Sequence, residues 1–101
     1  MLLCITFIAY QQENCIMHIE ATKTFLKLYK KLDSETKDQA KKALTLLQSD
    51  PSHPSLGHKK MSGQKDIYEI RVSIKYRITY TKSGDIAILR KIGAHDILDK
   101  P

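Results

Sequence analysis

The sequence lacks the side-chain arrangements with which most hydrolytic enzymes act. It has no paired carboxylates, no HExxH motif, no phosphate-binding loop of the GxxxxGK[ST] type, and no serine or cysteine nucleophile beside a plausible base. The spacing of its histidines is not that of metal ligands. There are four: His18, His53, His58 and His95. We therefore expect no metal and no other cofactor, and any chemistry must come from cationic side chains.

Cysteine is scarce and long apolar runs are missing. The two cysteines, Cys4 and Cys15, lie near the N-terminus without CxxC spacing, which indicates a reducing, cytosolic setting without structural disulfides. Residues 1–8 are apolar, but this run is far shorter than the roughly 20 residues that a membrane span needs. A secretory signal would have basic residues before such a run, and here none precedes it. The sequence therefore predicts a cytoplasmic protein without a membrane segment.

Basic residues are missing from the first 16 residues, whereas the remaining 85 contain all 17 lysines and arginines. One interpretation is that translation begins naturally at Met17, so that residues 1–16 are an upstream extension and residues 17–101 are the domain. The other is an additional strand, since Ile5, Phe7 and Ile8 favour strand geometry. The sequence leaves both open. A length of 101 residues suits a single domain.

The basic excess is concentrated in one third of the chain. The net charge is +6, and the segment 59–91 contains nine basic and three acidic residues. A basic excess on predicted strands indicates a polyanionic partner: a nucleic acid, a membrane surface or an acidic protein. The alternative is that the charge only keeps the domain dispersed in solution.

Apolar residues at helical spacing predict two consecutive helices. The first begins at Thr22 or Thr24 and has one apolar face, formed by Phe25, Leu28, Tyr29 and Leu32. The second takes its N-cap from Asp33-Ser34 and ends near Ser49, because Pro51 cannot continue it. Its face is formed by Thr36, Ala40, Ala43, Leu44 and Leu47. The pattern predicts a hairpin of two amphipathic helices.

Strands are predicted on both sides of this hairpin. Residues 18–21 precede it, and alternating patterns predict strands at about 67–73, 76–82 and 85–92, with a tight turn at Gly84. An irregular loop, residues 50–63, carries Lys59 and Lys60. The order β-α-α-β-β-β predicts an α+β fold, with the helical hairpin packed on one face of an antiparallel sheet of about four strands. The other face is expected to be exposed to water and to carry Arg71, Lys75 and Arg77.

Cationic side chains can cleave RNA without a metal, because RNA carries its own nucleophile, the 2′-OH. Cleavage needs a group that takes this proton, cations that stabilise the phosphorane, and an acid that protonates the leaving 5′-oxygen. The candidates for catalysis are Arg71, Arg77 and His95. The candidates for phosphate binding are Lys59, Lys60, Lys75 and Arg90.

Each candidate has a structural alternative. The two loop lysines could be solvated charges, Arg77 could pair with Glu69, and His95 could pair with Asp96. Arg90 has the same parity as three isoleucines, so it is either a rim residue or part of the site. Tyr68, Tyr76 and Tyr80 have apolar parity and are expected in or beside the core.

The segments FLKLYKKL, LGHKKMSG, YEIRV, YRITY and ILRKIGAHD, in this order and spacing, resemble the RelE/ParE-type toxins of bacterial toxin–antitoxin modules. The resemblance covers residues 17–101. It implies a small basic fold of two helices on an antiparallel sheet, and an antitoxin as partner. RelE-like members cleave mRNA on the ribosome, whereas ParE-like members poison DNA gyrase.

The resemblance also implies roles for single residues. Arg77 matches an arginine that binds the scissile phosphate, Arg71 matches a lysine that acts as base or charge stabiliser, and His95 matches a catalytic histidine of YafQ-like members. RelE-like members usually carry an aromatic residue shortly beyond this position, which stacks on the nucleotide. Here the chain ends in Asp99-Lys100-Pro101.

The leading prediction is therefore a metal-independent, ribosome-dependent mRNA endoribonuclease that inhibits translation. Its expected partners are mRNA, the ribosome and a cognate antitoxin. The alternatives are a non-enzymatic gyrase inhibitor and an RNA-binding module without activity.

Overall fold

The computed structural model describes residues 2–4, 17–61 and 66–98. Two α-helices follow a short strand: α1 is Lys23–Lys30 and α2 is Ser34–Ser49. The hydroxyl of Thr22 caps α1 by accepting a hydrogen bond from the backbone N–H of Phe25 at 3.2 Å. Helix α2 ends two residues before Pro51, as predicted. The helical hairpin is therefore confirmed.

The described strands form one sheet in the spatial order β1-β2-β6-β5-β4-β3. Their bounds are β1 Leu2–Cys4, β2 His18–Thr22, β3 Lys59–Lys60, β4 Ile67–Arg71, β5 Tyr76–Ser83 and β6 Ile86–Ala94. Two short 3₁₀ helices, Pro54–Leu56 and His95–Leu98, precede β3 and follow β6. Gly84 has a φ of 62° in the β5–β6 turn, as predicted for that position.

The α+β class is confirmed, and β1 and β3 extend the four predicted strands. All pairings are antiparallel except that of β2 with β6, which is parallel. A parallel pair needs a long crossover, and the helical hairpin lies within the connection between these two strands. The sheet is thus mostly antiparallel, as predicted, and departs from the prediction at this one pair.

Two predicted segments have different structures. The prediction of a strand at 67–73 is two residues too long, because the N–H groups of Val72 and Ser73 both bond to the carbonyl of Tyr76 and close a turn. Lys59 and Lys60 lie in β3 instead of an irregular loop. Leu2–Cys4 pairs with β2, while Ile5, Phe7 and Ile8 lie outside the described residues. A natural start at Met17 stays a prediction.

The core lies between the helices and one face of the sheet. Its side chains come from both layers and are almost fully buried, among them Phe25, Ala40, Leu44, Leu47, Ile70, Ile78, Tyr80, Leu89 and Ile92. Each large apolar side chain buried in this way contributes about 1.5–3 kcal/mol to folding. No helix within residues 17–61 and 66–98 is long and apolar enough to cross a membrane.

A β-bulge in β6 changes which side chains face the core. Thr79 pairs with Lys91 and Tyr80 pairs with Leu89, so Arg90 is an extra residue without a partner position. Leu89 and Ile92 are consequently both buried although they differ in parity. Because the bulge interrupts the alternation of faces along β6, the parity that Arg90 shares with Ile92 does not place it in the core. Its side chain is exposed.

Candidate functional site

The sheet face away from the helices, here called the open face, carries a pair of arginines. Arg71 and Arg77 lie directly opposite each other on β4 and β5, so their side chains leave the sheet on the same side. The positions on either side are glycines. Gly93 pairs with Arg77, and a Cβ added at Gly57 would lie 3.8 Å from Cβ and Nε of Arg71. The pair therefore has no side chain beyond hydrogen at these two flanking positions, and the space at Gly93 is taken by Ile97.

The guanidinium of Arg77 holds the β4–β5 turn together. Its Nη1 donates to the carbonyl oxygens of Ser73, Ile74 and Tyr76 at 2.5, 3.2 and 3.0 Å. Only 17% of the side chain is exposed. Among the described residues no acceptor is found for its Nη2, and this nitrogen has two N–H groups to donate. Arg77 is thus fixed in position and can still donate to a ligand.

Glu69 lies beneath this pair and is flanked by two cations. Its carboxylate lies 3.6 Å from Nζ of Lys59 and 3.8 Å from Nε of Arg77. Glu69 is 5% exposed, and its cross-strand neighbour Thr79 is fully buried. The prediction that this face is wholly exposed to water is therefore wrong. Both structural alternatives named in the sequence analysis are present: Arg77 pairs with Glu69, and Lys59 carries a charge at the surface.

The C-terminal 3₁₀ helix lies against the open face at Gly93. A Cβ added at this glycine would lie 2.7 Å from Cγ2 of Ile97, so the methyl group of Ile97 fills the space that a side chain would occupy. His95 is the first residue of this helix and follows β6 immediately. Its position beyond the last strand is as predicted, while its side chain and that of Asp96 lie outside the described part of the chain.

Three of the predicted phosphate-binding residues lie apart from the arginine pair. Lys60 pairs with Tyr68 and leaves β3 on the side opposite to Lys59. Lys75 is in the turn between β4 and β5, where its Nζ lies 5.9 Å from the ring centroid of Tyr76, so the prediction that it faces away on a strand is wrong. Arg90 is at the bulge, and its Nη1 donates to Oγ1 of Thr81 at 3.4 Å.

The sequence did not reveal a cluster of the buried Tyr80 with the half-buried His58 and Tyr68 on the helical side. Nδ1 of His58 bonds to the carbonyl of Pro51 at 3.0 Å, and since a carbonyl can only accept, this nitrogen carries a proton. In the neutral ring Nε2 is then the acceptor for the hydroxyl of Tyr80. Burial raises the pKa of Tyr80 above its ordinary value. The contact fastens the loop that begins at Pro51 to the core.

A groove of about 490 Å³ lies beside this cluster, lined by residues 51–54, Gly57 and His58. None of the predicted site residues lines it. Within the described residues no group of three or more His, Cys, Asp or Glu side chains could hold a metal ion.

The chemistry available on the open face is therefore electrostatic. Lys59 and Arg77 flank the carboxylate of Glu69, and Arg71 lies opposite Arg77, which leaves an excess of positive charge on this face. Fixed donors of this kind stabilise negative charge more effectively than water does, because they need not reorient when the charge develops. The arrangement fits a phosphate group.

Comparison with known proteins identifies the family of this chain. The model of the ParE toxin of the type II toxin–antitoxin system, parDE, matches residues 19–97. A comparison with curated protein sequences gave no match.

Several solved structures share the fold. A chain of the RelB–RelE antitoxin–toxin complex from Methanococcus jannaschii is 26% identical, with a TM-score of 0.65, and the alignment covers 78% of this chain and 93% of that one. YafQ from E. coli strain BL21(DE3) is 20% identical with a TM-score of 0.66, covering 81% and 97%. A chain of the intact E. coli RelBE complex is 25% identical with a TM-score of 0.62, covering 75% and 93%.

The family match spans most of the chain, and the fold is that of RelE-like and YafQ-like toxins. The chain therefore belongs to the ParE toxin family of type II toxin–antitoxin systems, within the RelE/ParE superfamily.

Proposed function

We propose that this toxin is a metal-independent mRNA endoribonuclease that acts on the ribosome and so inhibits translation. The observation that carries the proposal is the opposed pair of Arg71 and Arg77, with glycine on both flanks and His95 two residues beyond Gly93. A gyrase inhibitor that only binds its target has no need of two opposed arginines on one sheet face with a histidine just beyond the neighbouring strand.

In the proposed reaction the 2′-oxygen of one nucleotide attacks the adjacent phosphorus. The P–O5′ bond breaks, and the products are a 2′,3′-cyclic phosphate and a free 5′-hydroxyl. Arg71 and Nη2 of Arg77 stabilise the charge on the non-bridging oxygens of the phosphorane. His95 serves as general acid or base: it donates a proton to the leaving 5′-oxygen or accepts one from the 2′-hydroxyl.

Glu69 supports this site indirectly. Its carboxylate is too deeply buried to reach a 2′-hydroxyl, but it holds Nε of Arg77 at 3.8 Å and Nζ of Lys59 at 3.6 Å. These contacts restrict the side-chain freedom of both cations before the substrate arrives, which lowers the entropic cost of binding.

An antitoxin is the second proposed partner. The similar structures include toxin–antitoxin complexes from Methanococcus jannaschii and E. coli. We place the antitoxin helix on or near the basic sheet, where acidic side chains would neutralise the cationic site and block access to RNA.

The test is expression of the full chain in translating cells, followed by mapping of mRNA 5′ ends. We expect cuts in register with codons in the ribosomal A site. Arg71→Ala should reduce cleavage by about 10²–10³-fold and His95→Ala by about 10²–10⁴-fold. Arg71 is the better test of charge stabilisation, because Arg77→Ala would also release the β4–β5 turn. Lys42→Ala removes an exposed cation from α2 and is the matched control.

The outcomes separate the three functions. Growth arrest with intact mRNA and inhibited supercoiling by purified gyrase would refute the nuclease and favour the gyrase inhibitor. RNA binding without arrest or cleavage would identify a binding module. Arg71→Ala and His95→Ala chains that still melt as cooperatively as the wild type would exclude misfolding as the cause of lost cleavage.

A further inference from the structure

A second basic surface lies on α1, away from the arginine pair. Lys23, Lys27 and Lys30 are spaced i, i+4 and i+7, so they share one side of the helix and are all exposed. At 1.5 Å rise per residue the stripe is about 10 Å long. With Thr24 and Leu26 these lysines line a groove of about 330 Å³.

This groove adjoins another at the end of β2. The second groove, of about 170 Å³, is lined by Thr22, Thr24, Arg90 and Lys91, so Thr24 belongs to both. The hydroxyl of Thr22 lies 3.0 Å from the carbonyl of Leu89 and 3.2 Å from that of Arg90. It thereby ties the start of α1 to the bulge of β6. The two grooves are held in a fixed relation by this contact.

The second groove leads onto the open face. Lys91 pairs with Thr79, which in turn pairs with Glu69. These three residues lie side by side across the sheet, next to the paired positions that contain Arg71 and Arg77. The bulge exposes Arg90 beside it. A path of cations therefore runs from the arginine pair over Lys91 and Arg90, past the end of β2, to the stripe on α1.

The lining of this path indicates what it binds. Five of its side chains are cations, and among the described lining residues of the two grooves none is acidic and only Leu26 is strongly apolar. A protein partner would bury an apolar centre with a polar rim. A surface of lysine, arginine and threonine fits a sugar–phosphate backbone, whose phosphate oxygens these groups contact without reading sequence.

We propose that this path, the cationic track, binds the backbone of the RNA strand beyond the nucleotides held at the arginine pair. The inference rests on the proposed function in one respect: the open face is where the RNA is engaged. The track then gives the toxin an affinity for long RNA that a short fragment cannot share, independent of sequence and of the cleavage chemistry.

The size of the effect follows from counterion release. Each backbone contact on a single strand contributes about −0.7 to the slope of log K against log salt concentration. Loss of three lysine contacts should make this slope less negative by about 2, and should weaken binding on the order of 100-fold at 0.1 M salt.

The experiment measures binding to a labelled, fully 2′-O-methylated RNA, which has no free 2′-hydroxyl and is not cleaved by this chemistry. Fluorescence anisotropy over a series of salt concentrations compares the full-length wild type with the variant K23Q/K27Q/K30Q. The control K41Q/K42Q/K82Q removes the same charge from three exposed lysines outside the track. Both variants are tested on RNAs of about 16 and about 4 nucleotides, the range of single-strand site sizes.

The expected result is weaker binding and a shallower salt slope for K23Q/K27Q/K30Q on the long RNA alone, with little change for the control. Equal losses in both variants would show a general charge effect and overturn the track. So would wild-type affinity in K23Q/K27Q/K30Q, a loss of antitoxin binding in that variant without a loss of RNA binding, or no binding by the wild type. A chain that binds RNA normally through the track but never cleaves mRNA would refute the proposed nuclease activity. It would not contradict the proposed track.

Discussion

Replacing Gly93 by alanine tests how the C-terminal 3₁₀ helix is held on the open face. The new Cβ would lie 2.7 Å from Cγ2 of Ile97, well inside van der Waals contact. Gly93 does not have a positive φ, so the backbone tolerates alanine, and the contact alone is responsible for the strain. Either Ile97 moves away or the helix that begins at His95 is displaced.

The cost is set by how far that helix can yield. Forcing a methyl group into a packed site usually costs about 1–3 kcal/mol. Ile97 is only half-buried, so we expect a value near the lower end, about 1–2 kcal/mol. Ile97→Ala in the same chain removes the clashing methyl group. The double variant should then be more stable than the sum of the two single effects predicts, by about 1 kcal/mol or more.

Urea unfolding is measured for the wild type, both single variants and the double variant. The four free energies of unfolding together give the coupling energy between the two substitutions. Mapping of mRNA ends on the same four chains shows whether the displacement also moves His95: G93A should lose cleavage and G93A/I97A should regain part of it. Strictly additive free energies would refute the reasoning, since they would mean that the two side chains do not compete for the same space.

Three further predictions concern stability. Tyr80→Phe removes the hydroxyl that donates to His58 and should lower the free energy of unfolding by about 1 kcal/mol at pH 7. Burial raises the pKa of Tyr80, so the folded chain keeps this proton after the unfolded phenol ionises near pH 10; stability should fall above about pH 10, and less steeply in Y80F. Glu69→Gln should cost about 1–3 kcal/mol in urea unfolding, because two cations lose their buried counter-charge, whereas Asp85→Asn at the exposed pair with His18 should cost under about 1 kcal/mol; equal costs would contradict this account. Gly57→Ala should cost about 1–2 kcal/mol in thermal unfolding, since its φ is 52° and the added Cβ has room; no measurable loss would show that the 3₁₀ turn relaxes.

The sequence predicted those parts of the fold that depend on local patterns. Helix α2 has apolar residues at regular spacing and a proline after its end, so its bounds could be predicted from the sequence. The turn at Gly84 likewise carries its own signal. The parallel pairing of His18 with Ile86 joins residues far apart in the chain, and no local pattern encodes it. The two-residue strand β3 is too short for any periodicity to appear.

The candidate site, like the fold, could be predicted from the sequence only where local patterns determine it. Alternation along β4 and β5 places Arg71 and Arg77 on one face once their hairpin is recognised. The bulge at Arg90 was not accessible, because an extra residue shifts the alternation without changing the composition. The deep burial of Glu69 was also missed, since a glutamate in a basic strand pattern indicates exposure until its two cationic neighbours are located.

The position of β6 in the sheet has a consequence for the order in which the toxin matures. This strand is the last to be synthesised, yet it lies between β2 and β5 and holds both. In a nascent chain that stops before Ile86, β2 has no neighbour on its inner side and Arg77 has no Gly93 beside it. Long-range pairing of this kind also slows folding. The sheet that carries the arginine pair is therefore complete only after nearly all of the described residues have been synthesised.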